Sequence, residues 1–264
     1  MAWINTVKLQ LLHSTLEDDG TPSPKQHLTS FVIDDLVAFD AGSLAMSSSR
    51  TQKEQVRDIV LSHAHLDHIA GLPLFIDDLF ATLTGPVRIH AEAEVIEILE
   101  RDIFNWSVYP RFSELSNAKG SVMEYRSFVP GTEFKIKHLS VRAISVNHKV
   151  PSCGFIVTDS SAKFALSGDT AEMDTFWDVI NEINDLSAVL IECAFPDELQ
   201  DLACISHHLT PRSLEQELKK FNRRGCPVYI VNLKPAYYEK TAAQITALGM
   251  ENVNILNVGR VYEW

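Results

Sequence analysis

The chain has 264 residues, 45% of them hydrophobic, and a formal net charge of −12. That length and apolar content fill one large core without forcing a split, so residues 1–264 are expected to form a single domain. No apolar run approaches the roughly 20 residues of a membrane span, and the acidic balance argues against a long polyphosphate backbone as partner.

Val7 to Leu12 reads as a first strand, followed by a polar loop, Ser14 to Gln26, with Gly20, Pro22 and Pro24. Met1 to Asn5 has no basic stretch and no long apolar stretch, so no signal peptide is expected. Cys153, Cys193, Cys204 and Cys226 form no C-x-x-C pair. They read as reduced thiols in a cytoplasmic protein. Leu28 to Ile33 and Leu36 to Asp40 are short apolar runs joined at Asp34-Asp35, a hairpin pattern that ends in Asp40-Ala41-Gly42-Ser43.

Arg57 to Leu61 is apolar and partly β-branched and predicts a buried strand; Ile69 to Phe80 predicts a helix. Between them lies His63-Ala64-His65-Leu66-Asp67-His68, with four side chains of metal-ligand type in six residues. Imidazole nitrogens and carboxylate oxygens are common zinc ligands. His63 and His65 lie two apart and point the same way in an extended segment. Asp67 and His68 follow as the chain turns and can face a second point. One cluster can therefore feed two metals about 3.5–4 Å apart, the arrangement that activates water.

Ala91 to Phe104 predicts a helix with Val95, Ile98, Leu99 and Ile103 on one face, and His90 before it reads as a packed polar residue. The segment after it carries Phe104, Trp106, Tyr109 and Phe112 around Pro110. These rings are candidates for an apolar wall on which a purine stacks. Phe134 to Ser145 predicts two short strands, ending near His148. Ala162 to Leu166 predicts the next strand, with Gly168-Asp169-Thr170 after it. Met173, Phe176, Trp177, Ile180 and Ile183 have helical spacing and read as core. Leu186 to Ile191 predicts a strand that runs into Glu192-Cys193-Ala194-Phe195-Pro196. Thr210 is a fair N-cap and Pro211 a fair first helical residue, with Gly225 to close the helix, so His208 stands just before a helix start. Val228 to Val231 predicts a strand ahead of Asn232-Leu233-Lys234-Pro235. No internal sequence repeat is visible.

The run from His63 to Leu72 resembles the signature of the metallo-β-lactamase superfamily, and within it the class II 3′,5′-cyclic-nucleotide phosphodiesterases. The Phe104–Phe112 segment, Glu192-Cys193-Ala194-Phe195-Pro196 and His208-Leu209-Thr210-Pro211 resemble further segments of those enzymes, with Ala194 for serine and His207 for glycine. Asn232-Leu233-Lys234-Pro235 resembles their His-x-Lys-Pro, with asparagine in the ligand position.

The resemblance implies an α/β fold, a four-layer αβ/βα sandwich. It implies hydrolysis of cyclic AMP or cyclic GMP to the 5′-nucleotide by a metal-activated water. His63, His65 and His148 are then ligands of one metal, with Asp67, His68 and Asn232 around a second and Asp169 bridging. Asp40 supports the metal loop from behind. Asp67 and His208 count among the catalytic groups; His208 serves the leaving group, with Glu192 as its orienting partner. The implied cofactor is zinc, one or two ions, with manganese or iron at the second position, because an amide is a poor zinc ligand. The implied partner is a small-molecule cyclic nucleotide; two dications would dominate the local field despite the acidic chain. No long nucleic acid and no membrane are expected, and a homodimer is left open. The alternatives are a tRNase Z-like endonuclease, which shares the metal motif, and a non-catalytic nucleotide- or metal-binding protein with a degraded second site.

Overall fold

The computed structural model describes residues 6–264; the signal-peptide expectation at Met1–Asn5 lies outside them. The chain divides into two compact units, one made of Lys8–Val129 and Val258–Glu263, the other chiefly of Pro130–Asn257. Among the described residues, no helix is long and apolar enough to cross a membrane.

The first unit is built on β1 (Lys8–Leu11), β2 (Phe31–Ile33), β3 (Val37–Phe39), β4 (Asp58–Val60) and β5 (Val87–Ala91). A two-stranded hairpin, β6 (Ser116–Asn117) and β7 (Gly120–Ser121), precedes β8 (Met123–Ser127). The β2–β3 hairpin turns at Asp34 and Asp35, both at positive φ, with Leu36 N donating to Ile33 O. That is the paired left-handed conformation that suits a tight hairpin. Helices α1 (Leu44–Ser47), α2 (Arg50–Gln55), α3 (Leu66–Ile69), α4 (Leu72–Leu79) and α5 (Ala93–Ile98) belong to this unit. Leu44, Leu72, Phe75, Ile76 and Val95 from these helices share one apolar cluster with Val32, Ala38, Ile59 and Ile89 of the strands.

The second unit holds β9 (Glu133–Ile136), β10 (Leu139–Ser145), β11 (Cys153–Thr158), β12 (Lys163–Leu166), β13 (Ala188–Glu192), β14 (Val228–Val231) and β15 (Val253–Ile255). Its helices are α6 (Thr175–Asn181), α7 (Gln200–Ser206), α8 (Pro211–Lys219) and α9 (Tyr238–Ala247). Phe176, Trp177 and Ile180 pack with Leu214, Leu218 and Ile245 onto Val189, Ile191 and Ile230. The final strand, β16 (Val261–Glu263), belongs to the first unit and pairs with β1.

The sheet orders are β16-β1-β2-β3-β4-β5-β8 and β15-β14-β13-β12-β11-β10-β9. Each sheet, read from β16 or from β9, has three antiparallel pairings and then three parallel ones. The two units therefore share one wiring without sharing a sequence. Ligand sites on open α/β sheets lie beyond the carboxyl ends of the parallel strands. Asp40 and the His63–His68 loop follow β3 and β4; Asp169, Glu192 and Asn232 end or follow β12, β13 and β14.

Two helix expectations need correction. The predicted helix from Ile69 to Phe80 starts earlier, at Leu66, and breaks at Gly71. Gly71 donates its N–H to Ala41 O, and a Cβ there would meet Ala41 O at 2.7 Å and Gly42 O at 2.9 Å. The chain breaks to let two backbones touch. The helix from Ala91 begins at Ala93 and widens into a π-helical turn over Leu99–Ile103.

Candidate active site

In the first unit, the apolar strand β4 ends at Val60, and the loop after it carries the ligand-type residues. Asp40 stands behind that loop, buried and at φ 58°. Its Oδ1 accepts the Ser62 N–H at 2.8 Å, the Ser62 hydroxyl lies 2.8 Å from its Oδ2, and His68 Nδ1 lies 2.7 Å from the same Oδ2. Ser62 Oγ is also 2.9 Å from His63 Nδ1. A hydroxyl has one proton, which the carboxylate takes, so Ser62 accepts from His63 Nδ1–H. Both imidazoles are thereby held in the tautomer that keeps the lone pair on Nε2, the atom turned away from Asp40. The three rings cluster, with centroids 4.7 Å apart for His63–His65 and 4.2 Å for His63–His68. Two backbone bonds hold the loop: Thr29 N donates to Asp67 O, and Ala41 N to His68 O.

In the second unit, His148 follows β10, and its Nδ1 donates to His207 O at 3.0 Å. His207 adopts φ 56° to end α7, and its ring contacts Asn147 Oδ1 at 3.0 Å. Glu192, the last residue of β13, is fully buried. Its Oε1 is 2.6 Å from His208 Nδ1 and accepts the Thr170 N–H, and its Oε2 accepts the Leu209 N–H. Thr210 caps α8, with Ser213 returning the bond to the Thr210 N–H. Ligand-type atoms of His148, Asp169 and His208 lie within 4.8 Å of one another.

Burial pushes the Glu192 carboxyl above its ordinary value, against the opposing charge and hydrogen bond of His208. Burial also pulls His208 down, yet the charge and hydrogen bond of Glu192 outweigh it and leave the imidazole above its ordinary value. Lys234 acts on the same ring in the lowering direction.

Residues 31–226 match the beta-lactamase superfamily domain. The chain belongs to that superfamily. Over 211 residues it is 28% identical to the probable 3′,5′-cyclic-nucleotide phosphodiesterase of Yersinia pestis, covering 71% of this chain and 60% of that one. Over 127 residues it is 31% identical to the nuclear ribonuclease Z of Triticum aestivum, covering 46% of this chain and 66% of that one. The chain thus spans less than two thirds of the length of either relative. The crystal structure of unliganded yeast PDE1 superposes with a TM-score of 0.77 at 16% identity, covering 97% of this chain and 99% of that one. The fold is the metallo-β-lactamase fold, as the motifs implied: two sheets, each flanked by its helices.

The superfamily implies a divalent cation, and the donor chemistry fits one. His63 and His68 have Nδ1 engaged, as ligating imidazoles do. His148 and Asp169 present an imidazole and a carboxylate donor; His208 lies beside them with its Nδ1 held by Glu192. Asn232 Nδ2 donates to Asp169 Oδ1 at 2.6 Å.

The aromatic wall read from the sequence does not form as four rings. Phe104 and Phe112 are fully buried in the first unit's core and offer no face to a ligand. Tyr109 packs on Phe112, and its hydroxyl donates to Asp77. Trp106 alone of the four is more than half exposed, at φ 67°. Three contributors escaped the sequence reading. Ser62 looks like any small residue after a strand; only its place between Asp40 and His63 reveals it. Lys234 acts on His208 from a later loop. Phe195 packs edge-on against His208, with centroids 5.6 Å apart, and holds that ring from the side.

Proposed function

We propose that this chain is a metal-dependent phosphodiesterase that hydrolyses a 3′,5′-cyclic nucleotide, cyclic AMP or cyclic GMP, to the 5′-nucleotide. The two compact units act as one hydrolase domain. His63, His65, Asp67 and His68 would supply divalent-cation ligands from the first unit, and His148 and Asp169 from the second. A bound dication supplies Lewis acidity: it acidifies water toward neutral pH and offsets charge on phosphoryl oxygens. Zinc fits the imidazole-rich set, and manganese or iron fits the oxygen-rich one.

The observation that carries the reading is the buried Glu192–His208 pair beside Asp169 and His148. Opening a cyclic phosphodiester expels an alkoxide, whose oxygen needs a proton as the bond breaks. Glu192 engages Nδ1 of His208, which leaves Nε2–H of the protonated ring to serve the leaving oxygen. The charge and hydrogen bond of Glu192, against burial, favour the protonated form of His208. Trp106 is the exposed ring for the base, with Tyr109 as the second candidate. The likeness to the phosphodiesterase of Yersinia pestis supports this substrate class.

The likeness to ribonuclease Z makes an endonuclease the competing reading, and the net charge of −12 opposes it. Purified protein loaded with zinc or manganese is incubated with cyclic AMP, cyclic GMP and a tRNA precursor. Release of 5′-nucleotide from a cyclic nucleotide is the expected result. Cleavage of the tRNA precursor without nucleotide release would replace this reading with the nuclease. No reaction on any of them would leave a binding protein.

A further inference from the structure

Where the phosphodiesterases have a histidine before x-Lys-Pro, this chain has Asn232. Asn232 follows β14, is buried, and sits at φ 58°. Its Nδ2 lies 2.6 Å from Oδ1 of Asp169, itself buried. An ionised carboxylate only accepts hydrogen bonds, so the amide faces it N–H first.

We propose that Asn232 is a positioning residue for Asp169, a hydrogen-bond donor and not an ion ligand, and that its grip on Oδ1 leaves this chain with one firmly held cation and a second held weakly. The inference rests on the metallo-phosphodiesterase reading above. A bridging carboxylate gives one oxygen to each ion. Here the amide proton occupies one lone pair of Oδ1 through a short, charge-assisted bond. A cation approaching that oxygen competes with the proton for its electron density. The second ion therefore loses twice: the imidazole nitrogen is absent from position 232, and the shared carboxylate is weakened on one side. Asp169 meanwhile gains a fixed orientation.

The left-handed backbone at 232 suits the test. Asn, Asp and His are the side chains most often found there, and glycine adopts it without strain. Metal per chain is counted by atomic emission after dialysis against a mild chelator. Zinc and manganese are titrated by calorimetry into wild type, Asn232→Gly and Asn232→His, each checked for native circular dichroism. Wild type is expected to retain one ion and to bind the second more weakly. Asn232→Gly removes the donor and leaves affinity for the second ion unchanged or higher. Asn232→His tightens the second ion by about tenfold to a hundredfold and brings the retained count to two. Two firmly held ions in wild type would overturn the proposal. So would loss of the second ion in Asn232→Gly, which would make the amide oxygen a ligand after all. If Asn232→His fails to fold, wild type and Asn232→Gly still decide between donor and ligand. Nucleotide release, assayed separately, judges the phosphodiesterase reading: one firm ion with no nucleotide hydrolysed overturns that reading and leaves the role of Asn232 supported.

Discussion

Gly42 is the position where a single added methyl does most harm to the candidate site. A Cβ built there would lie 2.0 Å from Asp67 O, 2.8 Å from Thr29 N and 2.9 Å from Thr29 O. Ordinary contact begins near 3.4 Å, so Asp67 O has to retreat by about 1.4 Å. All three of those atoms are backbone, and none moves alone. The retreat breaks the Thr29 N–Asp67 O bond and strains the Gly42 N–Thr29 O bond, both 2.8 Å. Each backbone bond is worth about 0.5–1.5 kcal/mol net, and overpacking adds about 1–3 kcal/mol. Gly42→Ala is therefore expected to destabilise the protein by roughly 1.5–4.5 kcal/mol, one lost bond plus overpacking. Its specific effect is on function, because Asp67 and His68 ride on the displaced loop. Urea unfolding measures the first effect, and metal per chain after dialysis measures the second. A variant with the wild-type midpoint and full metal content would refute the claim that this close approach holds the ligand loop in place.

Three further outcomes follow from the site. His208→Ala is expected to lower kcat by about 10²–10⁴-fold with metal content unchanged. A p-nitrophenyl phosphodiester, whose leaving group needs little proton assistance, should suffer less; an equal loss on both substrates would remove the proton-donor role. Glu192→Gln removes the largest charge that raises His208, leaving Asp169 alone to raise it against burial and Lys234. A proton donor works below its pKa and fails as pH rises through it, so the alkaline limb of the kcat profile is expected to move to lower pH; an unmoved limb would sink the pairing as the cause. Ser62→Ala breaks the link from Asp40 to His63 and is expected to weaken metal binding by about 10–100-fold in a calorimetric titration, while wild-type affinity would show that the tautomer of His63 is set elsewhere.

The ligand types and their order were legible in the sequence because they cluster in short motifs at strand ends. Four donors in six residues, a lone Asp169 after a strand and His208 before a helix cap are local signals. Many strands, β1 to β4, β9, β10 and β12 to β14, were legible as short apolar or alternating runs, whereas β8, β11, β15 and β16 were not read from the sequence. The helix break at Gly71 and the need for glycine at 42 were not legible, because both arise from backbones distant in sequence coming into contact. The core location of Phe104 and Phe112 was hidden likewise, since an aromatic in an inserted segment has the same local pattern whether it faces solvent or core. The repeated wiring of the two sheets leaves no trace in the residues, because pairing order is set by long-range hydrogen bonds between backbones, and β16 reaches β1 across most of the chain. The sequence by itself determined which chemical groups are available. Tertiary structure decided how two of them are used: it turned the amide of Asn232 toward Asp169 and placed Ser62 between Asp40 and His63, because hydrogen-bond direction depends on where the partner atom sits.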